Sequence, residues 1–181
     1  MIDPDVGMLI SLSGALLFAT ASWHKWRAHA QFEAVLRSYL LLPGFAVAGV
    51  SWVVPAAELA LAVGLLLAPT RAASALAGAA LLLVYATAIA VNLVRRRIDL
   101  DCGCAMRHER RPIARWMVAR NLLLAALLAA SALSWSERPL GAVDALTVVG
   151  GLAIAALLYG AIDQLLGQVV PRIALLRGGR T

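Results

Sequence analysis

Five stretches of this chain stay apolar for about the length of a bilayer crossing, and nothing else in the sequence limits its fold so strongly. They cover roughly residues 6–26, 44–69, 72–94, 116–136 and 144–168. A helix needs about 20 apolar residues to cross a hydrocarbon core of about 30 Å. The second stretch is broken only by Glu58, the third holds no charge, and the fourth carries only Arg120 near its start. Helices of a large soluble core would each keep a polar face, and these have almost none. Composition agrees: 62% of residues are hydrophobic and 14% charged, where a soluble domain carries about 25% charged. The sequence therefore predicts an all-α fold, a polytopic membrane helical bundle with five spans, and a single membrane domain over 1–181.

The basic residues supply an orientation. Of 16 Lys and Arg, only Arg71 and Arg138 fall between spans two and three or four and five. The others lie in the last turn of span one, past its uncharged run to Trp23, or just after it (Lys25, Arg27, Arg37), surround the loop 95–115, or lie in the tail. Basic residues near helix ends stay cytoplasmic. This predicts the N-terminus outside, with the C-terminus and the 95–115 loop at the cytoplasmic face. The net charge of +6 then belongs to lipid contact and topology rather than to nucleic acid, for which no basic-aromatic surface exists. Trp116 and Trp135, 19 residues apart, are about 28 Å apart along a helix and would place one ring at each interface. The opening "MIDPDVG" has no basic n-region, so the first span is expected to be a retained helix.

Between spans one and two, "QFEAVLRSYLLLP" (31–43) places Phe32, Val35, Leu36, Tyr39 and Leu40 on one helical stripe. Glu33 and Arg37 pair on the other face. A short interfacial helix stopping at Pro43-Gly44 is expected.

Chemistry concentrates in "DLDCGCAMRHERR" (99–111), which holds both cysteines of the chain. Structural thiols usually sit singly in a core; Cys102 and Cys104 flank one glycine among charges. Gly103 permits the unusual backbone of a short ring, and a disulfide across one residue would be strained and easily reduced. Such a bond suits exchange rather than stapling. Nearby arginines favour thiolate, while Asp99 and Asp101 oppose it. The rival chemistry is metal binding by Cys102, Cys104 and His108, with Asp101 as a fourth ligand, for zinc or a softer ion. A single C-x-C is weak grounds for a closed site.

Glu58 falls near the middle of span two, three residues after Pro55. A charge at that depth is costly, and intramembrane carboxylates are functional by default. It reads as a proton relay, a buried pair with Lys25 or Arg120, or a hydrogen-bonded structural acid. Asn92 and Asn121, at the span ends flanking the Cys loop, suit interhelical hydrogen bonds.

Taken in order, "ASWHKW", "YLLLP", "VPAAELALAVGLLL", "AIAVNLVRRRIDLDCGC" and "VARNLLLAALL" resemble the MauE/DoxX-like family of redox-associated membrane proteins. The resemblance implies a four-helix core in a bacterial inner membrane, to which the fifth span adds little. It implies a part in maturing the disulfide-rich small subunit of methylamine dehydrogenase, beside a thioredoxin-like partner. Cys102 and Cys104 would be the exchanging pair, with Glu58, Lys25, Asn92, Arg120 and Asn121 supporting. No metal or haem cofactor is implied; a quinone could accept electrons, although no residue marks a site for one. Arg96 stands where the family often has Gly, and Ala105-Met106 replaces an aromatic-Gly pair. The subunit's disulfides form outside the cytoplasm, whereas the arginines put the pair inside. The loop then either tucks between helices or exchanges thiols with a cytoplasmic partner.

Three functions follow. The first is a membrane thiol–disulfide redox protein, an oxidoreductase if it is an enzyme. The second is a small transporter or soft-metal handler using Glu58 and the Cys102-Gly103-Cys104 loop. The third is a non-catalytic assembly scaffold.

Overall fold

The structure is a computed structural model, and it describes residues 4–97, 113–133, 141, 146–154, 157, 158, 160 and 161. The chain divides into two compact units, Met1–Arg138 and Pro139–Thr181. In the first unit, helices α1 (Pro4–Arg27), α2 (His29–Tyr39), α3 (Gly44–Leu66), α4 (Arg71–Val94) and α5 (Arg115–Ser131) follow one another. In the second, the described residues from 146 onward are helical. All elements among the described residues are helices.

Three segments, Asp5–Arg27, Gly44–Leu66 and Ala68–Val94, are long and apolar enough to cross a membrane. They match the first three expected spans closely. The fourth expected span, 116–136, appears as α5. At 17 residues α5 is about 26 Å long, a little short of the roughly 30 Å core. The fifth, 144–168, is only partly described, and Trp135 lies outside the described residues.

Helices α1, α3, α4 and α5 form a ring in which α1 packs on α3, α3 on α4, α4 on α5 and α5 on α1. Close approach explains this order. Gly14 of α1 faces Leu65 of α3 and Leu128 of α5, and Gly78 of α4 faces Phe18 and Leu128. A Cβ on Gly78 would stand 2.8 Å from Phe18 Cε2, so only glycine admits that ring. Alanines 15, 62, 75, 79 and 125 complete this layer, since small residues let helix backbones meet. Outward residues such as Trp52, Val53, Val63, Leu66 and Leu83 are exposed and apolar, a surface that fits lipid.

Helix ends close through side chains. The turn Ala68–Thr70 is a single 3₁₀ turn. Thr70 Oγ1 donates to Gly64 O at 2.9 Å and Arg71 Nε to Leu65 O at 3.3 Å, serving carbonyls that the end of α3 leaves open. Helix α4 ends in a Schellman motif: Arg97 N donates to Asn92 O and Arg96 N to Leu93 O, both at 3.0 Å. Arg96, at φ 56°, takes the left-handed position that favours glycine.

Helix α2 corrects the expected 31–43 boundary. It begins at His29 and stops at Tyr39, because Leu40 turns left-handed at φ 48°. Phe32 and Tyr39 are its buried residues, whereas Leu40, expected on the same apolar stripe, is exposed beyond the helix end. The Glu33–Arg37 pair forms as expected, at 2.6 Å on the surface. Helix α2 packs chiefly against α3. Tyr39 joins Ile89, Ile113 and Met117 in a second apolar cluster.

Candidate functional site

Between the two apolar clusters the bundle interior turns polar. Lys25 is near the end of α1 because that helix continues past the first apolar run to Arg27. Glu58 sits one turn beyond Pro55 in α3, and both are buried. Proline cannot donate to the carbonyl four residues back, a defect that spanning helices tolerate when neighbours serve the backbone. The carbonyl so freed is that of Ser51; Ser22 of α1 donates from Oγ to a different one, Pro55 O itself, at 2.8 Å. That bond holds α1 against α3 beside the acid.

Lys25 Nζ lies 2.5 Å from Glu58 Oε1, and the two residues are 5% and 0% exposed. Tyr85 of α4 donates its hydroxyl to the same carboxylate oxygen at 2.7 Å. The Lys25 ammonium also faces the rings of Phe32 and Tyr85, at 5.5 and 5.4 Å from their centroids. An ammonium shared by a carboxylate and two ring faces is stabilised by Coulomb attraction and by the ring quadrupoles. Desolvating two charges is expensive, and this geometry offsets much of that cost.

A second polar contact joins α2 to α3. His29 Nε2 is 3.1 Å from Ser51 Oγ, and the His29 ring stacks on Trp52 with centroids 4.1 Å apart.

Of the two basic partners foreseen for Glu58, the structure selects Lys25. Arg120 instead sets its guanidinium over the Trp116 ring, 5.3 Å from the centroid. Asn92 is buried and donates from Nδ2 to Ala88 O at 3.1 Å. Asn121 is 3% exposed. Glu58 Oε2, Asn92 Oδ1 and Asn121 Nδ2 are buried with no hydrogen-bond partner among the described residues. Tyr85, Ser22, Phe32 and the His29–Ser51 contact were not foreseen. Tyr85 could have been found as the one ionisable side chain in the uncharged run 72–94. Ser22 carried no signal, since serine is common in such helices.

Cys102, Cys104, Asp101 and His108 lie outside the described residues. What is described is where their loop leaves and rejoins the bundle. It leaves after Arg97, whose Nη1 is 3.5 Å from Tyr39 O, with Arg95 Nη1 3.5 Å from Leu40 O. It rejoins at Ile113, buried in the cluster with Tyr39, Ile89 and Met117. Both roots therefore stand at the end of α2. Among the described residues no group of three His, Cys, Asp or Glu side chains could hold a metal.

Comparison with known proteins follows the same segment. Residues 4–136 match a family model described as methylamine utilisation protein MauE. A protein of that name from Paracoccus versutus is 43% identical over 154 residues, covering 84% of this chain and 83% of its own. Its namesake from Paracoccus denitrificans is 41% identical over 132 residues, 73% and 71% of the two chains. Another from Methylophilus methylotrophus is 36% identical over 167 residues, 91% and 88%. No solved structure matches the chain.

Proposed function

Because the chain belongs to the MauE family of methylamine-utilisation proteins, we propose that it is a membrane thiol–disulfide exchange protein that helps mature the small subunit of methylamine dehydrogenase. The observation that carries this reading is the sequence Cys102-Gly103-Cys104: the only two thiols of the chain, one residue apart, in a charged loop. Family membership supplies the pathway. The cysteine spacing supplies the chemistry.

In the oxidising direction, a thiolate of a thioredoxin-like partner attacks one sulfur of the Cys102–Cys104 disulfide. That S–S bond breaks, a mixed disulfide forms, and the displaced cysteine leaves as thiolate. The partner's second thiolate then attacks its own sulfur of the mixed bond. The partner ends oxidised and the pair reduced, with two electrons transferred and no net change in protons. Strain in a ring closed over one residue speeds the first step. The same steps run backwards when the partner is the oxidant. The exchange calls on no resident cofactor.

The bundle's part is to hold the loop. Its roots at Arg97 and Ile113 both meet the end of α2, and Lys25, Glu58, Asn92, Arg120 and Asn121 support that frame. The reading sets the chain in a bacterial inner membrane; the arginine pattern favours the N-terminus outside and the loop at the cytoplasmic face, with α5 and the helix from 146 onward completing five crossings.

Thiol labelling in intact cells with impermeant and permeant reagents, under oxidising and reducing conditions, tests the reading. A reversible Cys102–Cys104 disulfide is expected, together with loss of methylamine-dependent growth in Cys102→Ser and Cys104→Ser. Full growth of both variants would refute it. Stoichiometric metal on the purified protein, lost in Cys104→Ser, would favour soft-metal handling instead.

A further inference from the structure

The register of the four-helix ring follows from the contacts between its helices. Phe18 of α1 and Leu128 of α5 both meet Gly78 of α4. Seven residues on, two turns, or about 10 Å, brings Lys25 of α1 beside Tyr85 of α4, which are in contact. Along the α4–α5 pair, Gly78 meets Leu128, and Ile89 and Met117 share a cluster. These helices therefore run antiparallel, with position numbers summing to a constant. The residue of α5 level with Tyr85 is Asn121.

One polar residue from each helix of the ring thus occupies a single level: Lys25, Glu58, Tyr85 and Asn121. Helix α3 lies diagonally across from α5, since the ring contacts run α1–α3–α4–α5. Glu58 and Asn121 consequently stand at that level on diagonally opposed helices, both buried. Glu58 Oε2 and Asn121 Nδ2 are each buried without a partner among the described residues. One is an acceptor and the other a donor. The level is closed above by the Phe18–Leu128 cluster and below by the Tyr39–Met117 cluster.

We propose that this level is a binding site for one water molecule, donating to Glu58 Oε2 and accepting from Asn121 Nδ2. The ligand class follows from charge and valence. Lys25 and Glu58 already neutralise each other, so a further cation would stand uncompensated in low dielectric. A buried carboxylate oxygen needs a donor, an amide N–H needs an acceptor, and a neutral hydroxyl supplies both. Buried waters make about three hydrogen bonds each, and Tyr85 and Lys25 stand at the same level to give a third. Water also suits the Asn121 amide in either orientation. The inference stands apart from the thiol chemistry above. It makes the level a four-helix hydrogen-bonded joint, with α3 and α5 coupled through a molecule rather than by packing.

Infrared spectroscopy of the full chain in lipid, prepared in ordinary water and in ¹⁸O water, tests it. The wild type is expected to show a sharp O–H stretching band, distinct from bulk water, that shifts with the isotope. Asn121→Leu should lose that band while keeping its helical circular dichroism. Glu58→Gln should shift it, because the acceptor changes while the space is kept. No isotope-sensitive band in the wild type, or the same band in the wild type and Asn121→Leu, would overturn the proposal. If Asn121→Leu fails to fold, Glu58→Gln, which keeps the space, carries the assignment: an unshifted band there would overturn the proposal as well.

Discussion

A lysine and a glutamate buried in an apolar bundle depend on each other more than any other two residues here. Removing one partner of a buried pair leaves an uncompensated charge and costs about 3–5 kcal/mol. Lys25→Met and Glu58→Leu should each lower the thermal midpoint of the detergent-solubilised protein sharply. The double variant should regain most of the loss, because apolar residues of similar size can replace a buried pair at little net cost. Equal, additive losses would argue against direct pairing. Arg96 offers a change of opposite sign. It holds the left-handed position of the α4 Schellman motif at φ 56°, where an L-residue is disfavoured by about 1–2 kcal/mol. Arg96→Gly should raise the thermal midpoint, corresponding to roughly 1 kcal/mol. The sequence displayed Arg96 openly, but only the helix end shows that it is the C′ residue.

Among the helices, the contact of α1 with α4 is sensitive to size. Gly78→Ala would press a methyl to 2.8 Å from a ring carbon of the buried Phe18. Overpacking of this kind costs about 1–3 kcal/mol. Pairing it with Phe18→Leu should recover part of that loss, read as thermal midpoints of the single and double variants. The element boundaries followed apolar run length well where a charge or proline marked the end. They failed at α2, where the stripe Phe32, Val35, Leu36, Tyr39, Leu40 continues unbroken in sequence. The chain leaves the helix there by a left-handed Leu40, a conformation with no residue signature. Helix α1 outlasts its apolar run because Lys25 finds a carboxylate inside the protein, so a charge that reads as a terminus is interior.

For the molecule as a whole, the distribution of arginines makes a topological statement that can be measured. A reporter fused after Leu67 should report the same side as the N-terminus, and one fused after Arg97 the opposite side. Fusions that report a single side for both sites would remove the cytoplasmic placement of the cysteine loop. Class and membrane character were legible because they depend on how many apolar residues stand together, a property of the chain alone. The Cys102-Gly103-Cys104 pair is visible as a spacing, and the exchange proposed for it rests on that spacing alone. Glu58 was legible as a buried acid because depth along a span follows from counting residues.

What the sequence determined by itself, then, is the number and approximate length of the apolar runs, the presence of an intramembrane acid, and the thiol pair between two of them. These are local quantities, fixed by composition and by the rise of a helix. What the tertiary structure decided is which residues meet: Lys25 rather than Arg120 on Glu58, Tyr85 as a second donor, Ser22 at the Pro55 carbonyl, and Asn121 at the same level. Lys25 and Glu58 are 33 residues apart in the chain. Their meeting depends on the order and register in which helices pack, and that is set by where glycine and alanine let backbones close. A single helix carries no record of it.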